Sequence, residues 1–253
     1  LAFGGIGTAM QLERARGLHP DVAVDGVRAV LRILIVFALV TPFWSLFDQK
    51  ASTWIVQAND MATRVSLLGY SFEVLPAQMQ ALNPLLVMLL IPFNNIVLFP
   101  LIRKLGVEPT ALRRMTAGIA FSALAWIAVG WLQLQLDAGD AVSIAWQILP
   151  YALLTLGEVL VSATGLEFAY SQAPAAMKGV IMALWSLAVT IGNLWVLIVN
   201  AGVRNPSVIA GIESSGVGLM AFQMFFFAGF AMLAALAFGL YAKRYKMVDH
   251  YRA

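Results

Sequence analysis

The sequence predicts an all-α, polytopic membrane protein built as a six-transmembrane-helix bundle, and three observations carry that prediction. Of 253 residues, 61% are hydrophobic and only 11% charged, against about a quarter charged in ordinary globular domains. The mean hydropathy is +0.83. Apolar runs that reach the roughly 20 residues needed to cross a bilayer recur six times along the chain. A water-soluble fold of this size cannot hide so much apolar surface, because much of any folded surface faces its solvent. Lipid is therefore the solvent for most of this chain. Strand-like alternation is missing, which argues against a membrane barrel. Cysteine is absent, so disulfides and thiolate metal sites are excluded.

Taken in order, Leu1 to Met10 is apolar but too short to span, and its charges follow the apolar run instead of preceding it. That order is wrong for a signal peptide. Residues 1–26 read as the end of a preceding helix plus a cytoplasmic linker, which implies that the chain is a piece of something longer. The membrane bundle occupies 27–245. Its first span runs from about Val27 to Val56, interrupted by Pro42, and the second from about Asn83 to Ile102, with Pro84, Pro92 and Pro100. Prolines are tolerated at such depth because neighbouring helices and side chains satisfy the freed carbonyls. The third covers about Met115 to Leu136, the fourth about Val142 to Tyr170, the fifth about Lys178 to Val203 and the sixth about Val217 to Tyr241. Residues 246–253 form a cytoplasmic tail.

Lysine and arginine set the orientation. Arg14, Arg16, Arg28, Arg103, Lys104, Arg113, Arg114, Lys178, Lys243, Arg244, Lys246 and Arg252 fall on one side, while only Arg64 and Arg204 fall on the other. Both ends of the chain are thus placed in the cytoplasm. The basic pI of about 9.3 reflects these topological anchors and not a nucleic-acid surface.

A charge near the bilayer centre costs about 2.5 kcal/mol or more and calls for a reason. Arg32 lies within about a turn of the cytoplasmic edge, while Asp48 and Lys50 lie near the outer end of the first span, where long side chains snorkel. Glu158 is different. It lies near mid-membrane in the fourth span behind Gly157, and a short carboxylate there cannot reach water. It is expected to face a polar cavity and to bind substrate or exchange a proton, since burial and a nearby cation push a carboxyl in opposite directions. No mid-membrane cation accompanies it in the sequence. Trp44, Phe43 and Phe47 crowd around Pro42 and Asp48, and Trp185 opens the fifth span; aromatic residues there usually pack or anchor. His19 and His250 have no metal-ligand spacing around them, and no nucleophile elbow occurs. No enzyme is expected.

Two segments carry a resemblance. The run Phe43-Trp44-Ser45-Leu46-Phe47-Asp48-Gln49 followed by Ser52 and Trp54 resembles the FW-x-LFDQ-x-x-S-x-W segment of the proton-dependent oligopeptide transporter family. Gly157-Glu158, then Thr164 through Pro174 (TGLEFAYSQAP) and Met177-Lys178, is similar to that family's GE…S-x-TGLEF-x-YSQAP-x-x-MK signature; Trp185, Gly192 and Asn193 continue it. The resemblance covers all six spans and implies the C-terminal half of a major facilitator superfamily transporter, whose N-terminal six-helix half is missing from this chain. It implies proton-coupled symport of di- and tripeptides by alternating access in a bacterial cytoplasmic (inner) membrane, with the proton gradient as energy source and no cofactor. By the same resemblance Glu158 receives the peptide's amino terminus, Asn83 hydrogen-bonds the peptide, and Trp44, Trp185 and Ser162 line its side-chain pockets. Asp48 holds an outer gate. Arg32 occupies a basic, proton-linked position whose aspartate partner is replaced here by Asn95. The alternatives are another small cargo of the same family, such as an amino acid or nitrate, and a non-transporting membrane remnant or scaffold. An acidic site for an amine argues against nitrate.

Overall fold

The structure, a computed structural model, describes residues 2–67, 69–172 and 175–245. The tail at 246–253, with His250, and the Ala173-Pro174 end of the signature lie outside the described residues. Helix α1 (Ala2–Ala15) precedes α2 (Asp21–Asn59); a hairpin of β1 (Arg64–Leu67) and β2 (Tyr70–Glu73) follows. Then come α3 (Leu82–Phe93), α4 (Phe99–Lys104), α5 (Ala111–Asp137), α6 (Ile148–Gln172), α7 (Lys178–Val203), α8 (Pro206–Glu213) and α9 (Leu219–Arg244). Among the described residues, six helical segments are long and apolar enough to cross a membrane.

Each expected span is present, and the departures have local causes. The first is longer than read, because helix α2 starts at Asp21, where an acidic residue in the first turn suits the positive end of the helix dipole. The second is one helical path, Pro76–Lys104, made of three geometries. A 3-10 turn at Pro76–Ala81 leads into α3, and a π turn at Asn94–Leu98 separates α3 from α4. In that π turn the Phe99 amide donates to the Asn94 carbonyl five residues back. Pro92 and Pro100 flank the break, and each removes an amide that a regular helix would have used. The hairpin was not foreseen. Its strands pair antiparallel from Arg64 opposite Glu73 to Leu67 opposite Tyr70, and Gly69 at φ +86° closes the turn.

Helix α5 packs most extensively on α6 and α9, and α2 packs on α7. The α5–α6 crossing is close because glycines meet there: a Cβ on Gly157 would sit 2.6 Å from the Gly118 carbonyl, and one on Gly118 would sit 2.7 Å from that of Gly157. Gly192 does the same for α7, where a Cβ would lie 2.9 Å from the Thr41 carbonyl. Small residues at such crossings are how membrane helices gain van der Waals contact without a hydrophobic driving force. Two apolar clusters result. One is centred on Phe37, Phe43, Ile119, Phe168 and Trp185, the other on Trp54, Trp126, Tyr151 and Phe227. The α3–α4 path and α7 leave most of their surface uncovered by the chain itself.

At the end of the bundle opposite the hairpin, α1 is tied to α2 by charge. Arg16 pairs with Asp25 at 2.7 Å and with Glu13 at 3.2 Å, and Arg28 pairs with Glu13. The hydrogen bond from Arg28 holds the Glu13 carboxyl below its ordinary range.

Candidate functional site

Glu158 is half-buried on α6, one residue beyond the glycine that brings α5 and α6 together. A side chain at Gly157 would hold the helices apart, so the crossing fixes the depth and direction of the carboxylate. From α3, the Asn83 amide nitrogen donates to Glu158 Oε2 at 2.7 Å and to Thr155 Oγ1 at 3.1 Å. Both amide protons are committed, so the asparagine clamps two consecutive turns of α6. Asn83-Pro84 opens α3, and Pro fits there because first-turn amides have no partner within the helix.

The aromatic wall stands on α2 and α7. Trp44 and Trp185 meet edge to face, with centroids 5.8 Å apart. Phe37 approaches Trp185 at 5.1 Å, and Phe43 and Phe47 pack around Trp44 at 5.4 and 5.9 Å. Such edge contacts place a positive ring edge on a negative face. Gly165 leaves room for Trp185, since a Cβ there would lie 2.6 Å from the indole Cη2. The Trp44 indole N–H is buried and has no hydrogen-bond partner among the described residues. Ser162 is half-buried one turn beyond Glu158 on the same side of α6.

The charged candidates separate. Lys50 does not snorkel. Its side chain is buried, 6% exposed, with Nζ 3.0 Å from the centroid of the Phe47 ring, a cation–π contact that partly replaces lost water. It acts electrostatically on Glu158, as does Asp48, so a cation does accompany the mid-span carboxylate. A lysine this near the outer end of a span looks able to climb out when read along the sequence, yet the fold buries its side chain. Asp48 is exposed and makes no ion pair among the described residues. Arg32 is exposed on α2 and acts on the phenols of Tyr241 and Tyr245. Asn95 is not its partner: the Asn95 amide donates to the Ile91 carbonyl at 3.1 Å.

Thr155 is the residue that sequence reasoning missed. Its signal was its place one turn before Glu158 on the same face. His19 lies between α1 and α2, away from these groups, and among the described residues no cluster of His, Asp and Glu is large enough to hold a metal. What the arrangement can do is bind a polar, cationic group beside an acid while aromatic faces accommodate apolar substituents.

The POT family model, PTR2, matches residues 10–215. Solute carrier family 15 member 1 of Oryctolagus cuniculus is 34% identical over 126 residues, which is 50% of this chain and 17% of that protein. Peptide transporter family 1 of Caenorhabditis elegans is 40% identical over 114 residues, 45% of this chain and 13% of that protein. The crystal structure of an auto-inhibited POT family peptide transporter superposes with a TM-score of 0.90 at 66% identity, over 96% of this chain and 46% of that one. That of the POT family transporter PepTSo gives 0.87 at 67% identity, over 99% and 48%. The chain spans under a fifth of the curated relatives and just under half of the solved transporters. With the family match running through five of the six spans and two solved members superposing over nearly its whole length, the chain belongs to the POT family of membrane transporters.

Proposed function

We propose that this chain is the C-terminal six-helix bundle of a proton-coupled transporter of di- and tripeptides, with the hairpin end outside the cell and both chain ends in the cytoplasm. The observation that carries the proposal is the half-buried Glu158 carboxylate held by Asn83, on a helix whose Gly165 packs against Trp185 of the Trp44–Trp185 pair. A peptide brings an ammonium, amide groups and variable side chains. Glu158 accepts the ammonium in a charge-assisted pair, Asn83 serves the amides, and the indoles with Ser162 meet the side chains. The largely uncovered sides of α3–α4 and α7 fit contact with a companion N-terminal bundle, against which this one rocks to alternate access.

Proton coupling follows from competition at Glu158. Carboxylate, proton and substrate ammonium share one site, and Lys50 supplies a resident positive charge that substrate or proton must rebalance. Asp48, exposed near the hairpin end, is placed to pair with a basic group of the companion bundle and close the outer gate. Arg32, with Tyr241 and Tyr245 at the opposite end, belongs to the inner side of the same cycle. The membrane is assigned as a bacterial inner membrane and the driving force as its proton gradient, with no cofactor. The test is uptake of labelled dialanine by the complete transporter in liposomes, with and without an inward proton gradient. Gradient-dependent accumulation supports the assignment. Accumulation of an amino acid or nitrate but not dialanine overturns the cargo.

A further inference from the structure

Towards the hairpin end of the bundle, α2, α7, α8 and α9 enclose a cleft of about 450 Å³. That volume falls among small-ligand sites, which run from about 300 to 1,000 Å³. Its floor is a clasp of three carboxamides, one each from α2, α7 and α9. Gln49, 3% exposed, donates to Thr53 Oγ1 at 2.6 Å and to Asn200 Oδ1 at 3.3 Å. Asn200 donates back to Gln49 Oε1 at 3.2 Å, and Gln223 donates to Asn200 Oδ1 at 2.8 Å. A carboxamide nitrogen carries two protons. Gln49 has committed both, while Asn200 and Gln223, half-buried at the cleft wall, each keep one to offer.

The rim carries Arg204, and no acidic side chain among the described residues lines the cleft. Arg204 is exposed at the C-terminal end of α7 and makes no ion pair among the described residues. Arginines are scarce at this end of the bundle, Arg64 being the other, so Arg204 does not belong to the basic side that fixes topology. Asn200 lies four residues, about 6 Å of helix, deeper than Arg204. Three residues deeper again, and on the same helix faces, Leu197 follows Asn200 and Phe226 follows Gln223; both are exposed. Beyond them the stack of Trp195 on Phe230 joins α7 to α9. The cleft opens on the α9 side of α7, whereas Trp185 meets Gly165 on the α6 side.

We infer that this cleft binds a phospholipid from the leaflet at the hairpin end. The phosphate pairs with the Arg204 guanidinium, whose planar fork matches phosphate oxygens. The ester carbonyls accept from the free amide protons of Asn200 and Gln223, and the acyl chains run inward along Leu197 and Phe226. The order of groups with depth carries the inference: guanidinium, amide donors and apolar surface succeed one another as phosphate, glycerol ester and acyl chain do in a lipid. A free phosphate or a peptide carboxylate would use the guanidinium and leave the apolar surface idle. The site is independent of the reading of Glu158.

The test uses the complete transporter in a neutral maltoside detergent with phosphatidylglycerol that carries a photoactivatable diazirine on one acyl chain. Adducts are mapped by mass spectrometry in wild type and Arg204→Gln, with dialanine binding as the check that the variant is folded. Labelling within residues 194–226 is expected to fall about tenfold in Arg204→Gln, the effect of losing one hydrogen-bonded charge. Unlabelled dioleoylphosphatidylglycerol is expected to compete, and dioleoylglycerol, which lacks the phosphate, is not. Equal labelling of this segment in both proteins overturns the site. Labelling confined to other surfaces overturns it too, and assigns the cleft to the companion bundle. Competition by dioleoylglycerol as strong as by the phospholipid overturns phosphate recognition. Competition by inorganic phosphate at the same concentrations overturns the lipid as its source.

Discussion

Asn83 and Glu158 lie on different helices, 75 positions apart in sequence, yet their side chains meet at 2.7 Å. That bond ties the start of the second span to the middle of the fourth and sets how the carboxylate is presented. A hydrogen bond to a charged group contributes about 1.5–3 kcal/mol. Asn83→Ala is therefore expected to weaken dialanine affinity about tenfold or more while leaving the fold intact, as read by inhibition of labelled peptide uptake in the complete transporter.

The glycine crossing makes a prediction about stability. A methyl group at Gly157 would lie 2.6 Å from the Gly118 carbonyl, and backbone cannot move aside as a flexible side chain can. Gly157→Ala is expected to destabilise the transporter by about 1–3 kcal/mol through overpacking. A lowered midpoint in a thermal unfolding assay in detergent checks this. An unchanged midpoint means that the crossing relaxes freely.

Under the proposed function, Gly165 governs selectivity through Trp185. Its added methyl would meet the indole at 2.6 Å and drive the ring towards Trp44. Gly165→Ala is expected to reduce inhibition by diphenylalanine about tenfold relative to dialanine, the effect of about 1.4 kcal/mol. Equal loss for both peptides would assign the change to general misfolding.

The pairing of α1 with α2 depends on pH. Glu13 has its carboxyl lowered chiefly by the hydrogen bond from Arg28, and then by the charges of Arg16 and Arg28. A lowered folded-state value means that the stabilisation is present above the unfolded glutamate range and is lost as pH falls through the lowered value. Protection of the α1 amides, with the intrinsic pH dependence of exchange divided out, is expected to fall on that acid side, and Glu13→Gln is expected to show the lower protection at every pH.

Much of this architecture was legible in the sequence because bilayer thickness imposes a length on every span. Lys178–Val203 was read to its ends, while the first and second spans start six and seven residues earlier than read, at Asp21 and Pro76. The π turn at Asn94–Leu98 was not legible, since Pro92 and Pro100 show where a helix loses amides but not which wider turn absorbs the loss. The Arg64–Glu73 hairpin escaped because its strands are four residues each, the second is exposed throughout and Val65 of the first packs on the core, too short a pattern to impose alternation. Lys50 was misjudged for a different reason: one-dimensional depth says nothing of whether the fold buries a side chain. The site residues Glu158 and Asn83 were named from the sequence, but their contact, and the part of Thr155 in it, needed α3 placed against α6.

The central claim is that Glu158 binds the substrate ammonium and couples it to the proton. The most direct measurement is dialanine uptake by the complete transporter in liposomes, wild type against Glu158→Gln, with and without an inward proton gradient. The account predicts gradient-driven accumulation in wild type and its loss in the glutamine variant. Accumulation in Glu158→Gln that matches wild type under the same gradient contradicts it.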